Sequence, residues 1–176
     1  DKTQAILATH VYGNPCDMKS IMDWASQNNV LVIEDCSHAH GAKINGRMVG
    51  TWGHIGIFSL QGAKAVSAGE GALAITNCPE IALKMVAYGH QESFKKFPVS
   101  KLTDHQSIPP FGFGKKMRAH PIGAALALVD LKNLTFKNRI FEKWMIALKE
   151  LSTVINSFSV PTVLPDAIRG GYCQGV

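Results

Sequence analysis

VLVIEDCSHAHGA, residues Val30 to Ala42, is the stretch on which the fold turns. VLVIE, Val30 to Glu34, is a short, continuous, mostly β-branched run, the pattern of a central strand covered on both faces. Asp35 follows where that strand ends. Upstream, QAILAT at Gln4 to Thr9 reads as a second buried strand, closed by the turn residues GNP at Gly13 to Pro15. Between the two, Asp17 is placed to cap a helix whose apolar face is Met18, Ile21, Met22 and Ala25, stopped by Asn28 and Asn29. Strand, helix and strand at these lengths predict a right-handed crossover with parallel strands.

Downstream, the pattern becomes glycine-punctuated. Strands are expected at Ile55 to Ser59 and Ala72 to Thr76, with Lys64, Gly69 and Gly71 in the loop between them. A helix is expected from Pro79 to Tyr88. Residues 89 to 116 lack periodicity and carry five aromatic residues or prolines between Phe94 and Pro110, which reads as a long functional loop. Two helices are expected next, over Pro121 to Leu134 and Phe136 to Asn156. SVPTVLP, Ser159 to Pro165, reads as a strand or linker into a second domain. The division is set at 1–134 and 135–176.

Apolar residues make up 46% of the 176 and charged residues 18%, so a core can be buried and disorder is excluded as a class. No apolar run reaches the roughly 20 residues that cross a bilayer, and the reading is a cytoplasmic protein. The first residue is Asp and the last stretch stops without a finished element, so the sequence is expected to be truncated at both ends. Net charge is +5, but the 18 Lys and Arg are dispersed, with no basic stripe interleaved with aromatics. That argues against nucleic acid and suits a small anionic substrate. Cys16, Cys36, Cys78 and Cys173 form no CxxC pair.

Three residues stand where chemistry is usually done. Asp35 follows a central strand, and ligands of open α/β sheets gather outside the carboxyl ends of strands. Ser59 ends the next expected strand. Lys64 follows among small residues, a setting in which a lysine can be desolvated and act as a nucleophile. Cys36, His38 and His40 alternate, so on a regular strand they would share a face and form part of a metal site. A fourth ligand is missing, and no metal is expected. The glycines at 69 and 71 are no dinucleotide fingerprint, because no helix pattern opens there.

An acid after one strand, then a serine and a lysine after another, is what a pyridoxal 5'-phosphate site requires. VLVIEDCSHAHGAKINGRMVGTWGHIGIFSLQGAK and AGEGALAITN strongly resemble the sugar aminotransferase family of the DegT/DnrJ/StrS type. THVYGNPCDM (Thr9 to Met18) and MRAHPIGAALALVDL (Met117 to Leu131) extend the likeness over roughly residues 2 to 150.

The resemblance implies an α/β fold, the three-layer α/β/α large domain of a pyridoxal-phosphate-dependent transferase with a mostly parallel sheet. It implies pyridoxal 5'-phosphate as cofactor, held by Lys64 through a Schiff base, with Asp35 facing the pyridine nitrogen and Ser59 binding the phosphate. His38 stands where the family usually has a glutamine near the ring's 3' oxygen. Lys116 stands where it often has an asparagine that reaches the partner subunit's cofactor phosphate. Implied too are a homodimer, glutamate or glutamine as amino donor, and a keto sugar, nucleotide-linked, or keto cyclitol as acceptor. Two alternatives stay open: a dehydratase on the same scaffold, although relatives that deoxygenate tend to carry histidine in place of the lysine, and a non-catalytic regulatory protein, since relatives with SHAHGA and FSLQ are often associated with cell wall biogenesis.

Overall fold

The computed structural model describes residues 2–89, 115–155 and 157–172. Two strands, β1 (Ala5–Thr9) and β2 (Leu31–Asp35), flank helix α1 (Met18–Gln27). They pair in parallel with Thr9 beside Asp35, as the crossover pattern requires. Asp17 caps α1 by accepting the Ser20 amide at 3.1 Å. Met18 and Ala25 of that helix are fully buried.

After β2 the chain forms a hairpin, β3 (Lys43–Ile44) and β4 (Arg47–Met48). Its two turn residues are Asn45 (φ 49) and Gly46 (φ 76), the left-handed pair that a tight hairpin selects because it matches strand twist. The chain then enters β5 (Ile55–Ser59) and β6 (Ala72–Ile75), followed by helix α2 (Pro79–Gly89). The main sheet runs β1-β2-β5-β6; its first three strands are parallel and β6 is antiparallel to β5. The α/β expectation with a mostly parallel sheet is met. The long loop expected over 89–116 lies almost wholly outside the described residues.

One expectation of detail is corrected and one is narrowed. The pair of helices split near residue 135 is a single helix, α3 (Pro121–Val154). No Gly or Pro follows Gly123 within it, and the one β-branched residue at the expected break, Thr135, costs too little to end a helix. Of the two readings for 159–165, strand or linker, the strand is not formed; the strand is β7 (Ala167–Ile168), just beyond, and it pairs with β3. Pro161 and Pro165 explain this, since each lacks the amide a ladder needs. Beyond β7 the chain returns to the first half, with Gly170 N donating to Gly13 O at 3.0 Å.

The core gathers Ala8, Met18, Ala25, Val30, Val32, Cys36, Ala39, Ala42, Ile44 and Val49. The outer strand faces and α3 stay open by contrast: Leu7, Leu31, Leu73, Ile122, Val129 and Trp144 are all exposed. Among the described residues no helix is long and apolar enough to cross a membrane.

Candidate active site

Alternation along β2 sends Glu34 and Asp35 to opposite faces of the sheet. Glu34 goes inward and is fully buried. Its carboxylate accepts the amides of Gly50 (2.7 Å), Trp52 (2.7 Å) and Gly53 (2.6 Å), and it meets His10 Nε2 at 3.2 Å. His10 Nδ1 accepts the Cys16 amide at 3.0 Å. That leaves the ring proton on Nε2, pointing at Glu34. Burial works against the Glu34 charge, but the hydrogen bonds from His10, Gly53 and Gly50 outweigh it and hold its pKa below the ordinary value. The loop can come this close because it is glycine at the contact: a Cβ on Gly56 would sit 2.3 Å from Gly50 O.

Asp35 faces the other way. Its Cα lies level with Ile57 of β5, so Asp35, Ile57 and, two residues on, Ser59 share a face at the carboxyl edge of the parallel strands. Asp35 is half-buried, and among the described residues Oδ1 accepts only the Ser37 amide, at 3.0 Å. Ser59 Oγ accepts the Gln61 amide at a long 3.4 Å, leaving its hydroxyl proton to give.

Lys64 lies on a closed turn: its amide donates to Gln61 O at 2.9 Å, and Ala68 N donates to Leu60 O at 2.8 Å. Its Nζ reaches the hydroxyl of Tyr172 at 3.3 Å and stands 4.4 Å from that ring's centroid. The Tyr172 ring stacks on His38, with centroids 4.0 Å apart and planes 13° from parallel, and His38 in turn stacks on Tyr12 at 5.8 Å. Tyr12 is held at φ 50, a left-handed conformation that side chains other than glycine's rarely adopt. There its amide donates to His38 Nδ1 at 3.3 Å.

His38 sits between the two charged candidates. Burial lowers its pKa, the Lys64 charge lowers it further, and the Asp35 charge opposes both. With Nδ1 taken by the Tyr12 amide, the neutral ring carries its proton on Nε2 and is a hydrogen-bond donor there.

Asp35, His38, Ser59 and Lys64 thus converge on one edge of the sheet. Lys116 does not join them; it is exposed in the stretch before α3, beside Met117, whose amide donates to Gly89 O. The alternation that would have aligned Cys36, His38 and His40 is not realised, because the segment turns instead of continuing as a strand. Cys36 points toward His10 and Glu34, His38 joins the ring stack, and His40 is buried against Phe58 with ring centroids 5.5 Å apart. Burial pushes the His40 pKa down, against the Ser59 backbone. His10, Glu34 and Cys36 offer ligand atoms within 4.8 Å of one another, but Glu34 is already committed to three amides and a ring.

Sequence reasoning missed Tyr172, Tyr12 and the His10–Glu34 pair. A usable signal existed only for the last: His10 follows β1 as Asp35 ends β2, and the in-register pairing of those strands sets the two chain segments side by side.

Comparison with known proteins bears on this geometry. A model of the DegT/DnrJ/EryC1/StrS aminotransferase family matches residues 1–165. GDP-perosamine synthase of Escherichia coli O157:H7 is 48% identical over 77 residues, 44% of this chain and 21% of that protein. L-glutamine:scyllo-inosose aminotransferase of Streptomyces griseus is 40% identical over 84 residues, 48% of this chain and 20% of that protein. An aminotransferase from Psychrobacter cryohalolentis superposes with a TM-score of 0.80 at 33% identity, over 97% of this chain and 46% of that one. The chain therefore spans less than half the length of that solved structure, and the sequence matches cover about a fifth of each of those relatives.

Proposed function

Because this chain belongs to the DegT/DnrJ/EryC1/StrS aminotransferase family, we propose that the intact protein is a pyridoxal 5'-phosphate-dependent aminotransferase. On this reading it moves an amino group from glutamate or glutamine to a keto sugar, nucleotide-linked, or to a keto cyclitol. The observation that carries the reading is the convergence of Asp35, Ser59 and Lys64 at the carboxyl edge of β2 and β5, with His38 between the charges of Asp35 and Lys64.

The donor set suits that cofactor. A carboxylate with one oxygen committed to Ser37 keeps the other for a protonated ring nitrogen. A serine hydroxyl at a strand end suits a phosphate, and a primary amine suits an aldehyde. When bound, pyridoxal 5'-phosphate supplies an electron sink that stabilises negative charge developing at a substrate's α carbon.

The chain's own groups do the rest. Asp35 would face the ring nitrogen and favour its protonated form by its charge. His38, whose tautomer the Tyr12 amide fixes, would offer Nε2 as a donor to the cofactor's 3' oxygen, the role glutamine has in the family pattern. Lys64 Nζ would hold the cofactor through its aldehyde carbon and, as a free amine, would be the base placed to take a proton from a substrate's α carbon. Tyr172 steadies that amine with its hydroxyl and ring. The lysine, present where deoxygenating relatives tend to carry histidine, favours amino transfer over dehydration.

The reading also includes action in the cytoplasm and a homodimer with active sites at the subunit interface. Free thiols at Cys16, Cys36 and Cys78 are in keeping with a reducing compartment, and Lys116, exposed and apart from the cluster, is in keeping with service to a partner's site. The test is spectroscopic. The intact protein is loaded with pyridoxal 5'-phosphate and titrated with glutamate and with glutamine, and the cofactor band is expected to shift to that of the aminated form. No shift with either donor removes the aminotransferase reading. Return of the original band on adding a GDP-linked keto sugar, but not a keto cyclitol, selects between the acceptors.

A further inference from the structure

The turn that carries Lys64 satisfies most of its own backbone: Leu60, Lys64, Ala68 and Gly69 amides all bond within residues 59–71. The Ala65 carbonyl and the Ser67 amide, on the two residues flanking Val66 just past the lysine, are met by side chains from elsewhere. Both partners come from α3. Ser67 N donates to Asp130 Oδ2 at 3.0 Å, and Lys137 Nζ donates to Ala65 O at 3.0 Å. Lys137 Nζ also bonds Asp130 Oδ1 within the helix, which closes a ring of three contacts, two of them between helix and turn. Asp130 and Lys137 are two helical turns apart, hence on one face of α3, and the lysine leans back toward the helix N-terminus to reach the acid. The approach is close nearby: a Cβ on Gly123 would lie 2.8 Å from Ala68 O.

We propose that Asp130 and Lys137 are positioning residues for Lys64, clamping the backbone of its turn to α3 so that the amine is aimed at the carboxyl edge of the sheet. This rests on the reading of Lys64 as the residue that holds the cofactor. The alternative is that the pair merely adds stability. Both side chains are part-exposed, at 28% for Asp130 and 40% for Lys137, and such pairs contribute little to folding. What the clamp fixes is the path of a turn whose residues Gln61, Gly62 and Ala63 are exposed on its other side. The hydrogen bond from Lys137, helped by the Ser67 amide and opposed by burial, lowers the Asp130 pKa, so the acid stays an acceptor for the Ser67 amide.

The test uses the intact protein and the variants Lys137→Met, Lys137→Arg, Asp130→Ala and Asp130→Asn, each first shown to keep its far-ultraviolet spectrum. Amide hydrogen exchange of residues 61–69 is measured without cofactor. Separately, pyridoxal 5'-phosphate is added and the rate of bond formation at Lys64 is read by borohydride trapping. There the amine and aldehyde condense with loss of water, and the hydride reduces the resulting double bond to a secondary amine. Lys137→Met and Asp130→Ala are expected to speed exchange in that turn alone and to slow trapping by about tenfold, the scale of a sub-ångström misplacement. Lys137→Arg should restore both, and Asp130→Asn, which keeps the acceptor and loses the charge, should lie between. Local exchange or trapping that stays at the wild-type rate in Lys137→Met and Asp130→Ala overturns the clamp. If wild-type protein is never trapped at Lys64, the cofactor reading fails and takes the clamp's purpose with it; the exchange result then shows whether the contacts alone are real.

Discussion

Glu34 and Asp35 are consecutive carboxylates on one strand and live in opposite circumstances. Glu34 is fully buried and engaged by three amides and a histidine; Asp35 is half-buried with one amide on one oxygen. A buried charge must be saturated with partners or it destabilises the fold, and a saturated charge has nothing left to offer a ligand. The pair therefore divides labour by face: the inward acid builds the loop over Gly50 to Gly53, and the outward acid keeps an open valence for chemistry. The same contrast separates His10, locked between Cys16 and Glu34, from His38, whose Nε2 remains a free donor direction.

The sharpest way to probe that division is at the open face. Lys64→Ala in the intact, cofactor-loaded protein should lower amino transfer by about a thousandfold or more, the scale of losing a general base, and abolish borohydride trapping, with a melting temperature close to wild type. Unchanged turnover would place the chemistry elsewhere.

The inward acid should behave the other way round. Glu34→Gln is expected to destabilise by about 3 kcal/mol, the scale of losing hydrogen bonds to a buried charge, measured by urea unfolding. Its sign with pH follows from the depressed pKa. Stability from Glu34 is fully present above the unfolded value, about 4.3, and is lost as pH falls through the folded value beneath it. Stability measured between pH 6 and 3 should therefore decline less steeply in Glu34→Gln than in wild type. An equally steep decline would mean that Glu34 is not the acid-sensitive group.

A gentler probe is Gly56→Ala, whose methyl would press against the Gly50 carbonyl and open the loop that holds Glu34. Overpacking of this kind costs about 1–3 kcal/mol, and a neutral result would show that the loop has room the contact denies. Smallest in stability is Asp35→Asn, expected to change unfolding free energy by about 0.5 kcal/mol or less while lowering amino transfer by about a hundredfold. A stability loss matching that of Glu34→Gln would erase the distinction between the two faces.

Much of this was legible along the chain. The crossover of β1, α1 and β2 followed from apolar period and a capping aspartate, because these are local properties that packing confirmed. Asp35, Ser59 and Lys64 were found because each follows or ends a strand, and strand ends are marked by a change in hydrophobic pattern. α3 was divided in error because Leu134 is the one buried residue of the helix, and a helix without a continuous buried stripe leaves no pattern to join its two halves.

What the sequence determined by itself was the four strands of the main sheet, the chain's likeness to one enzyme family, and the three residue types that a cofactor site of this kind needs. What only the tertiary structure decided was which acid faces which way, that Tyr172, 108 positions from Lys64, lies against its amine, and that α3 supplies the contacts holding the Lys64 turn. Those facts join residues far apart in the chain, and such contacts leave no periodic trace. They arise from the register of parallel strands and the path of a long helix, which exist only once the sheet has formed.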